Sequence, residues 1–297
     1  MSRVISNSGI TPSLFRHKAS RIFWHAVLIA FALLMLAPVF WMLSTSLKPG
    51  GETISADIHW IPKDVYSKGL KGLNTEGYET LFQNTKEFPV ARWFANSAFI
   101  SLTGTLLVLL VTSMAAYALS RLRFKGREAI FRVILSTLMI PAPVVLIPVF
   151  VIITRLGLFD SYAALILPGG ASAFGVFLLR QFFLGIPMEL EEAAFLDGAT
   201  HLRIFWQIML PLCKPALGTL AIFTFIGFWN DFAWPLIVTN DVSMRTIPVG
   251  IAILQGQYVT RYNVMMAAAV LASLPMLVAF LIFQKNITEG IAMTGLK

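Results

Sequence analysis

The sequence predicts an all-α, polytopic membrane protein with six transmembrane helices. Three observations lead there. Hydrophobic residues make up 57% of the 297-residue chain and charged residues only 13%, where a soluble domain carries about 25% charge. Apolar runs recur that can cross ~30 Å of hydrocarbon, which takes about 20 residues of helix. The polar stretches between those runs hold most of the Lys and Arg, as the flanks of membrane helices do.

Residues 1–21 form a polar, basic N-terminal segment. Arg16, Lys18 and Arg21 precede an apolar run from Ile22 to Leu47. That run exceeds the ~7–15 residues of a signal-peptide core and lacks a small-residue cleavage site. An uncleaved first helix is therefore expected over 22–46, with Pro38 as a kink site. A polar loop, 48–92, follows. Within it, Leu70 to Lys86 suits an amphipathic surface helix carrying Leu73, Tyr78, Leu81 and Phe82 on one face.

The second helix is expected at 95–119, ending in the basic turn Arg121 to Arg127. The third, 129–153, contains Pro141, Pro143 and Pro148. Each Pro removes a backbone donor, so a kink or partial unwinding is predicted. Irregular backbone survives at membrane depth only against protein or a water-filled cavity. The fourth helix, 161–184, starts at a cap, Asp160-Ser161, and is interrupted by Pro168-Gly169-Gly170. That interruption serves either a transport path or close helix packing through small residues. A charged loop at 185–210 leads to the fifth helix, 211–238. A polar loop at 239–262, with an Asn240-Asp241 turn signal, precedes the sixth helix, 263–284, and a tail at 285–297. The span 22–284 reads as one membrane domain.

The net charge of +8 does not indicate nucleic acid, because no compact Lys/Arg tract with interleaved aromatics occurs away from the membrane flanks. A single cysteine, Cys213, excludes an internal disulfide. His17, His25, His59 and His201 are scattered, with no metal-ligand spacing. Gly170-Ala-Ser-Ala-Phe-Gly175 approaches a phosphate-binding loop but continues with Val176-Phe177, without the required Lys-Ser/Thr. No G-x-S-x-G, no H-E-x-x-H and no paired-carboxylate site in the membrane is present. An enzymatic reading has no residues to stand on, and no cofactor site is expected on this chain.

With six spans, both termini share one side. Thirteen of the 23 Lys and Arg fall on that side and nine on the other, with Arg132 near the first. The short basic loops near the membrane therefore place both termini and the 185–210 loop in the cytoplasm.

The most informative stretch is Glu189 to Pro215. Pro187, Glu189, Glu191 and Glu192 suit the first turn of a short helix, where carboxylates meet the positive end of the dipole. Gly198 supplies the left-handed conformation that ends a helix. Thr200 suits the cap of a second helix, His201 to Leu210, running up to Pro211. The result is a helix–turn–helix at a membrane surface.

Glu192-Ala193-Ala194, three residues, Gly198, nine residues, then Ile208-x-Leu210-Pro211 resembles the "EAA" loop of ABC-importer permease subunits, and Asp197 and Pro215 add matches. Over essentially its whole length the chain is similar to the second permease subunit of the maltose and glycerol-phosphate importer group. The resemblance implies the type I ABC-importer permease fold and import of a sugar or sugar derivative by alternating access. It implies a second permease subunit, two ABC ATPase subunits that hold ATP and Mg, and an external solute-binding protein. Glu192, Ala193, Ala194, Asp197, Gly198, Ile208, Leu210 and Pro211 would then couple to the ATPase, the small alanines permitting close approach.

Two further stretches carry open readings. Trp229, Asn230 and Asp231 lie about 20 residues, or ~30 Å of helix, past Pro211, near the external interface. They suit an outer gate on the substrate path, or an interfacial cap and aromatic belt. Gln255, Gly256 and Gln257, with Tyr258, sit in an external loop. By resemblance that loop reaches the binding protein, and the tail Glu289 to Lys297 reaches the ATPase dimer.

Overall fold

The computed structural model describes residues 12–295 except 56, 58, 84–87 and 258–260, with side chains described outside 12–19, 255–257 and 282–295. Among the described residues the chain is helical, with no strand. The first helix, α1 (Pro12–Ser46), passes unbroken through Pro38, and its apolar section spans Ser20–Ser46. It starts ten residues ahead of the predicted 22, with Pro12 at the first position, where Pro is tolerated.

Backbone proximity divides the chain into two compact units. One joins Met1–Tyr78 to Thr260–Val270, the other Glu79–Val259 to Leu271–Lys297. In the first unit, the polar stretch after α1 is folded. It contains α2 (Gly50–Thr53), α3 (Lys63–Lys68) and the start of α4 (Glu76–Gln83). Lys48 is buried, donates to the His59 carbonyl at 2.5 Å and lies 4.3 Å from the centre of the Trp41 ring. Burial lowers its pKa, against the opposing pull of Glu52. The predicted amphipathic helix is shorter than 70–86, because the Asn74 side chain accepts the Glu76 N–H at 2.7 Å and sets the start. Leu81 is buried and Tyr78 half-buried, but Leu73 and Phe82 are exposed; Lys86 lies outside the described residues.

The second unit is organised on α5 (Val90–Arg121), an unbroken helix of 32 residues. Ser97, Ser101, Gly104, Thr105, Thr112, Ala116 and Ser120 are buried along it. Small and short polar residues let neighbouring helices approach closely. A Cβ on Gly104 would lie 2.6 Å from the Phe228 ring.

The third span is two helices, α6 (Arg127–Ser136) and α7 (Ala142–Arg155), bent by 104° at Pro141. Pro148 rides inside α7. The fourth is α8 (Tyr162–Ile166) and α9 (Ala173–Leu184), bent by 48° across the Pro168-Gly169-Gly170 interruption. The Ser161 hydroxyl caps α8 by accepting the Ala164 N–H at 3.3 Å. Next come α10 (Glu189–Leu196), α11 (His201–Ile204) and α12 (Leu210–Leu212), then α13 (Lys214–Asn230) after an 80° bend at Cys213. Among the described residues, three continuous helices and three bent pairs are long and apolar enough to cross a membrane, up to six spans when each pair is one crossing.

Three expectations need correction. The fifth helix is not continuous over 211–238: α13 stops at Asn230 and α14 (Ala233–Val238) follows. Pro235 has no N–H for the Asp231 carbonyl and would clash with it, so the break falls at Asp231. The 239–262 stretch is not a loop throughout, because it contains α15 (Ile247–Gln257). The apolar run Ile247 to Leu254 folds, with Ile247, Val249 and Leu254 buried. The last helix, α16 (Tyr262–Gly295), also continues through most of the predicted tail.

A Cβ on Gly250 of α15 would sit 2.1 Å from the Trp93 ring of α5. We expect Gly250→Ala to push Trp93 aside at a cost of about 1–3 kcal/mol, as overpacking does. A lower thermal midpoint of the purified chain would register it.

Candidate functional site: the helical loop between the fourth and fifth spans

The loop folds as the sequence predicts. Glu189, Glu191 and Glu192 open α10, and Gly198 has φ +77 at the turn. The Thr200 hydroxyl accepts the Arg203 N–H at 3.4 Å to start α11. The second helix departs from regular form: Phe205–Met209 is a π-helical turn in which the Leu210 N–H reaches the Phe205 carbonyl. It falls directly before Pro211, which lacks the N–H an α-helical ladder needs. Such widened turns are rare.

The eight predicted coupling residues divide into two sets. Glu192, Ala193, Asp197, Gly198 and Pro211 are exposed. Ala194, Ile208 and Leu210 instead turn inward, packing on a core of Tyr117, Leu179, Phe183, Phe205 and Met209. Ala194 is therefore a packing residue of the hairpin. The two helices enclose a cleft of about 200 Å³ lined by Asp197, Ala199, Arg203, Gln207 and Ile208 among others. Arg203 Nε holds Gln207 Oε1 at 2.9 Å beside it.

Two features escaped the sequence reading. Leu196, at the end of α10, is 90% exposed. Phe195 (41%) before it and Leu202 (66%) in α11 are exposed apolar side chains of the same hairpin. The other feature is beneath α10. Glu191, not Glu192, is buried, and its Oε1 lies 3.0 Å from Arg121 Nε at the end of α5. The contact is charge pairing rather than a hydrogen bond, since neither atom has a hydrogen-bond partner. Arg121 donates from Nη2 to the carbonyls of Phe183 and Ile186 (2.5 Å to the latter) and from Nη1 to Met188 Sδ at 3.2 Å. Burial raises the Glu191 pKa, outweighing the opposing pull of Arg121 and His201. The spacing of Glu191 four residues after Pro187 gave no cue to which of three neighbouring glutamates faces inward. The helical phase against α5 decides it.

The second candidate group lies elsewhere. Trp229 is buried, donates to the Ala272 carbonyl at 3.1 Å and stacks on Phe225. Asn230 is exposed. The Asp231 carboxylate accepts the Trp234 N–H at 3.4 Å, capping α14. It also borders a cavity of about 340 Å³ lined by Val108, Gly169, Ser172, Thr224 and Phe228. The capping role is thus present, and Gly169 of the fourth-span interruption both meets this cavity and packs on Phe228. Gln255, Gly256 and Gln257 form the last turn of α15; Tyr258 lies outside the described residues. Among the described residues no cluster of His, Cys, Asp and Glu can hold a metal.

Candidate spans that number up to six among the described residues, with a helical hairpin between the fourth and fifth, mark a multi-pass membrane protein. Residues 108–292 match the family model described as the binding-protein-dependent transport system inner membrane component, and the chain belongs to that family. It is a multi-pass inner-membrane permease subunit of an ABC importer, working with a binding protein and with separate ATPase subunits that hydrolyse ATP. It is 37% identical over 266 residues to the arabinooligosaccharides transport system permease protein AraQ of Bacillus subtilis (strain 168), covering 90% of this chain and 92% of that one. It is 32% identical over 299 residues to the sulfoquinovosyl glycerol transport system permease protein SmoH of Agrobacterium fabrum (strain C58 / ATCC 33970), covering 100% of both. Among solved structures it resembles a chain of a bacterial ABC transporter involved in the import of the acidic polysaccharide alginate, with TM-score 0.77 and 26% identity over 94% of this chain and 99% of that chain.

Proposed function

We propose that this subunit imports a carbohydrate, an oligosaccharide or a sugar derivative. The observation that carries this is full-length similarity to AraQ and SmoH, both named for transport of sugar-containing solutes. The partner permease is a different chain, and the two form the path. A solute-binding protein delivers the substrate outside, and two ABC ATPase subunits close on ATP and Mg inside. Both termini and the α10–α11 hairpin face the cytoplasm.

In this reading the exposed face of α10 docks on the ATPase: Glu192, Ala193, Leu196, Asp197 and Gly198, with the cleft beside Arg203. Ala194, Ile208 and Leu210 hold the hairpin's shape, and Pro211 begins the turn into the fifth span. The 340 Å³ cavity beside Asp231 belongs to the substrate path, and the end of α15 at Gln255–Gln257 meets the binding protein. Rigid-body motion of the hairpin converts ATPase closure into alternating access.

The expected result in proteoliposomes holding the whole complex and its binding protein is uptake that requires internal ATP. Uptake driven by an ion gradient without ATP would exclude this mechanism. Mass spectrometry of the ligand retained by the purified binding protein identifies the solute, and a non-sugar there would sink the carbohydrate assignment.

A further inference from the structure

We propose that α5 is a strut joining the ATPase-facing hairpin to the segment at its far end, gripped at one end by Arg121 and at the other by Trp93, Asn96 and Ser97. The proposal rests on the docking role of α10 and goes beyond it by naming the path that motion takes through the subunit. Chain connectivity suggests another path, because α10 is joined directly to α9 and α11. Both neighbours lead into broken spans. The α8–α9 pair bends by 48°, and an 80° bend at Cys213 separates the hairpin from α13. A displacement passed along either chain meets a joint within a few turns.

The helix α5 meets none. It has no Pro, and its 32 residues span roughly 48 Å at ~1.5 Å per residue. At its last residue, the buried Arg121 touches Glu191 of α10 and the Phe183, Ile186 and Met188 positions that lead into α10. One guanidinium thus holds the hairpin from the side, independently of the chain that connects it.

The opposite end has a matching grip. Asn96 Nδ2 donates to the carbonyls of Ser243 at 2.7 Å and Arg245 at 2.9 Å. Its Oδ1 accepts the Tyr162 hydroxyl at 2.6 Å. Trp93 Nε1 donates to the Val242 carbonyl at 2.6 Å, and the Ser97 hydroxyl accepts the Ile247 N–H at 2.8 Å. Trp93, Asn96 and Ser97 are each 1% exposed. So four backbone groups of 242–247, the carbonyls of Val242, Ser243 and Arg245 and the Ile247 N–H, are satisfied by side chains of α5, and the segment leads straight into α15. The Asp160 carboxylate, accepting the Asn240 and Asp241 N–H groups at 3.0 Å, is the rival anchor on that segment. A buried backbone group held by a partner side chain moves with it or loses the bond. Arg121 is a positioning residue here, as are the three at the far end.

Hydrogen–deuterium exchange on the complete complex in nanodiscs tests this, comparing the nucleotide-free state with the state trapped by ATP and vanadate. In the unaltered complex, trapping changes exchange in 242–254. The double variant Arg121→Met/Glu191→Leu is expected to trap nucleotide and retain its ATPase subunits, while the change in 242–254 shrinks at least fivefold. Trp93→Phe/Ser97→Ala is expected to shrink it similarly. Combining both pairs adds less than twofold more, because two breaks in one path do not multiply. A wild-type complex with no change in 242–254, or a change that survives either pair, overturns the strut. Loss of ATPase subunits from the Arg121→Met/Glu191→Leu complex also overturns it, because the grip would then belong to the docking face. The docking role of α10 fails separately, if Leu196→Asp leaves ATPase binding intact.

Discussion

Leu196→Asp is expected to strip the ATPase subunits from the purified complex while leaving the permease folded. Leu196 is 90% exposed at the end of α10, so the substitution disturbs little within this chain. A leucine side chain that becomes fully buried contributes about 1.5–3 kcal/mol, and an unpaired carboxylate in the same place adds a desolvation cost. At ~1.4 kcal/mol per tenfold, the loss of affinity is roughly 100-fold or more. Gly198→Asp tests the same face through the backbone. No neighbouring atom lies within 4 Å of a Cβ there, but φ is +77. The cost is therefore conformational, about 1–2 kcal/mol for a residue with a Cβ, and smaller for Asp than for Val. The measurement is the ratio of ATPase to permease after affinity purification, alongside the melting temperature of the permease. Normal ratios for both variants would remove α10 from the ATPase interface.

These two positions differ in how far the sequence discloses them. Gly198 is legible because a turn between two short helices demands a left-handed residue, and glycine is the residue that supplies it. Leu196 is not, since a leucine in an apolar chain reads as core or lipid-facing until neighbouring elements are in place. The same limit applies to the spans. Pro141 and the Pro168-Gly169-Gly170 interruption announce their bends, because a missing N–H is a local property. The break at Asp231 was equally local, written in Pro235 four residues on, but the continuous apolar pattern through Val238 masked it. The helix α15 was hidden by its polar flanks, Asn240-Asp241 and Gln255 to Tyr258, which made an apolar run of eight residues look like part of a loop. Buried partners such as Arg121 with Glu191 depend on α5 and α10 meeting some 70 residues apart in sequence. No spacing rule within one element reveals that. The small and hydroxyl residues at Ser97, Ser101, Thr105, Thr112, Ala116 and Ser120 are buried along α5, a pattern of packing residues that the sequence reading did not single out.

Removing Arg121 alone is expected to cost far more stability than removing it together with Glu191. Glu191 Oε1 lies 3.0 Å from Arg121 Nε and both side chains are buried. Arg121→Ala leaves a buried carboxylate unpaired, typically ~3–5 kcal/mol of destabilisation, whereas an apolar replacement of both partners is often neutral or better. Burial raises the Glu191 pKa in spite of Arg121, so desolvation of the carboxylate outweighs the attraction of its partner. The pH dependence follows with a definite sign. Glu191 has an ordinary value of 4.5 and a higher one when folded, so between the two the native state binds more protons than the unfolded state. Stability in that window falls as pH rises and is recovered as pH falls. Losing the Arg121 charge widens the window upward. Thermal unfolding of Arg121→Ala should therefore improve on acidification, and that of Arg121→Met/Glu191→Leu should lack this component. Equal loss of stability in the single and double variants would mean that the carbonyls of Phe183 and Ile186, rather than the Glu191 charge, are what Arg121 is needed for.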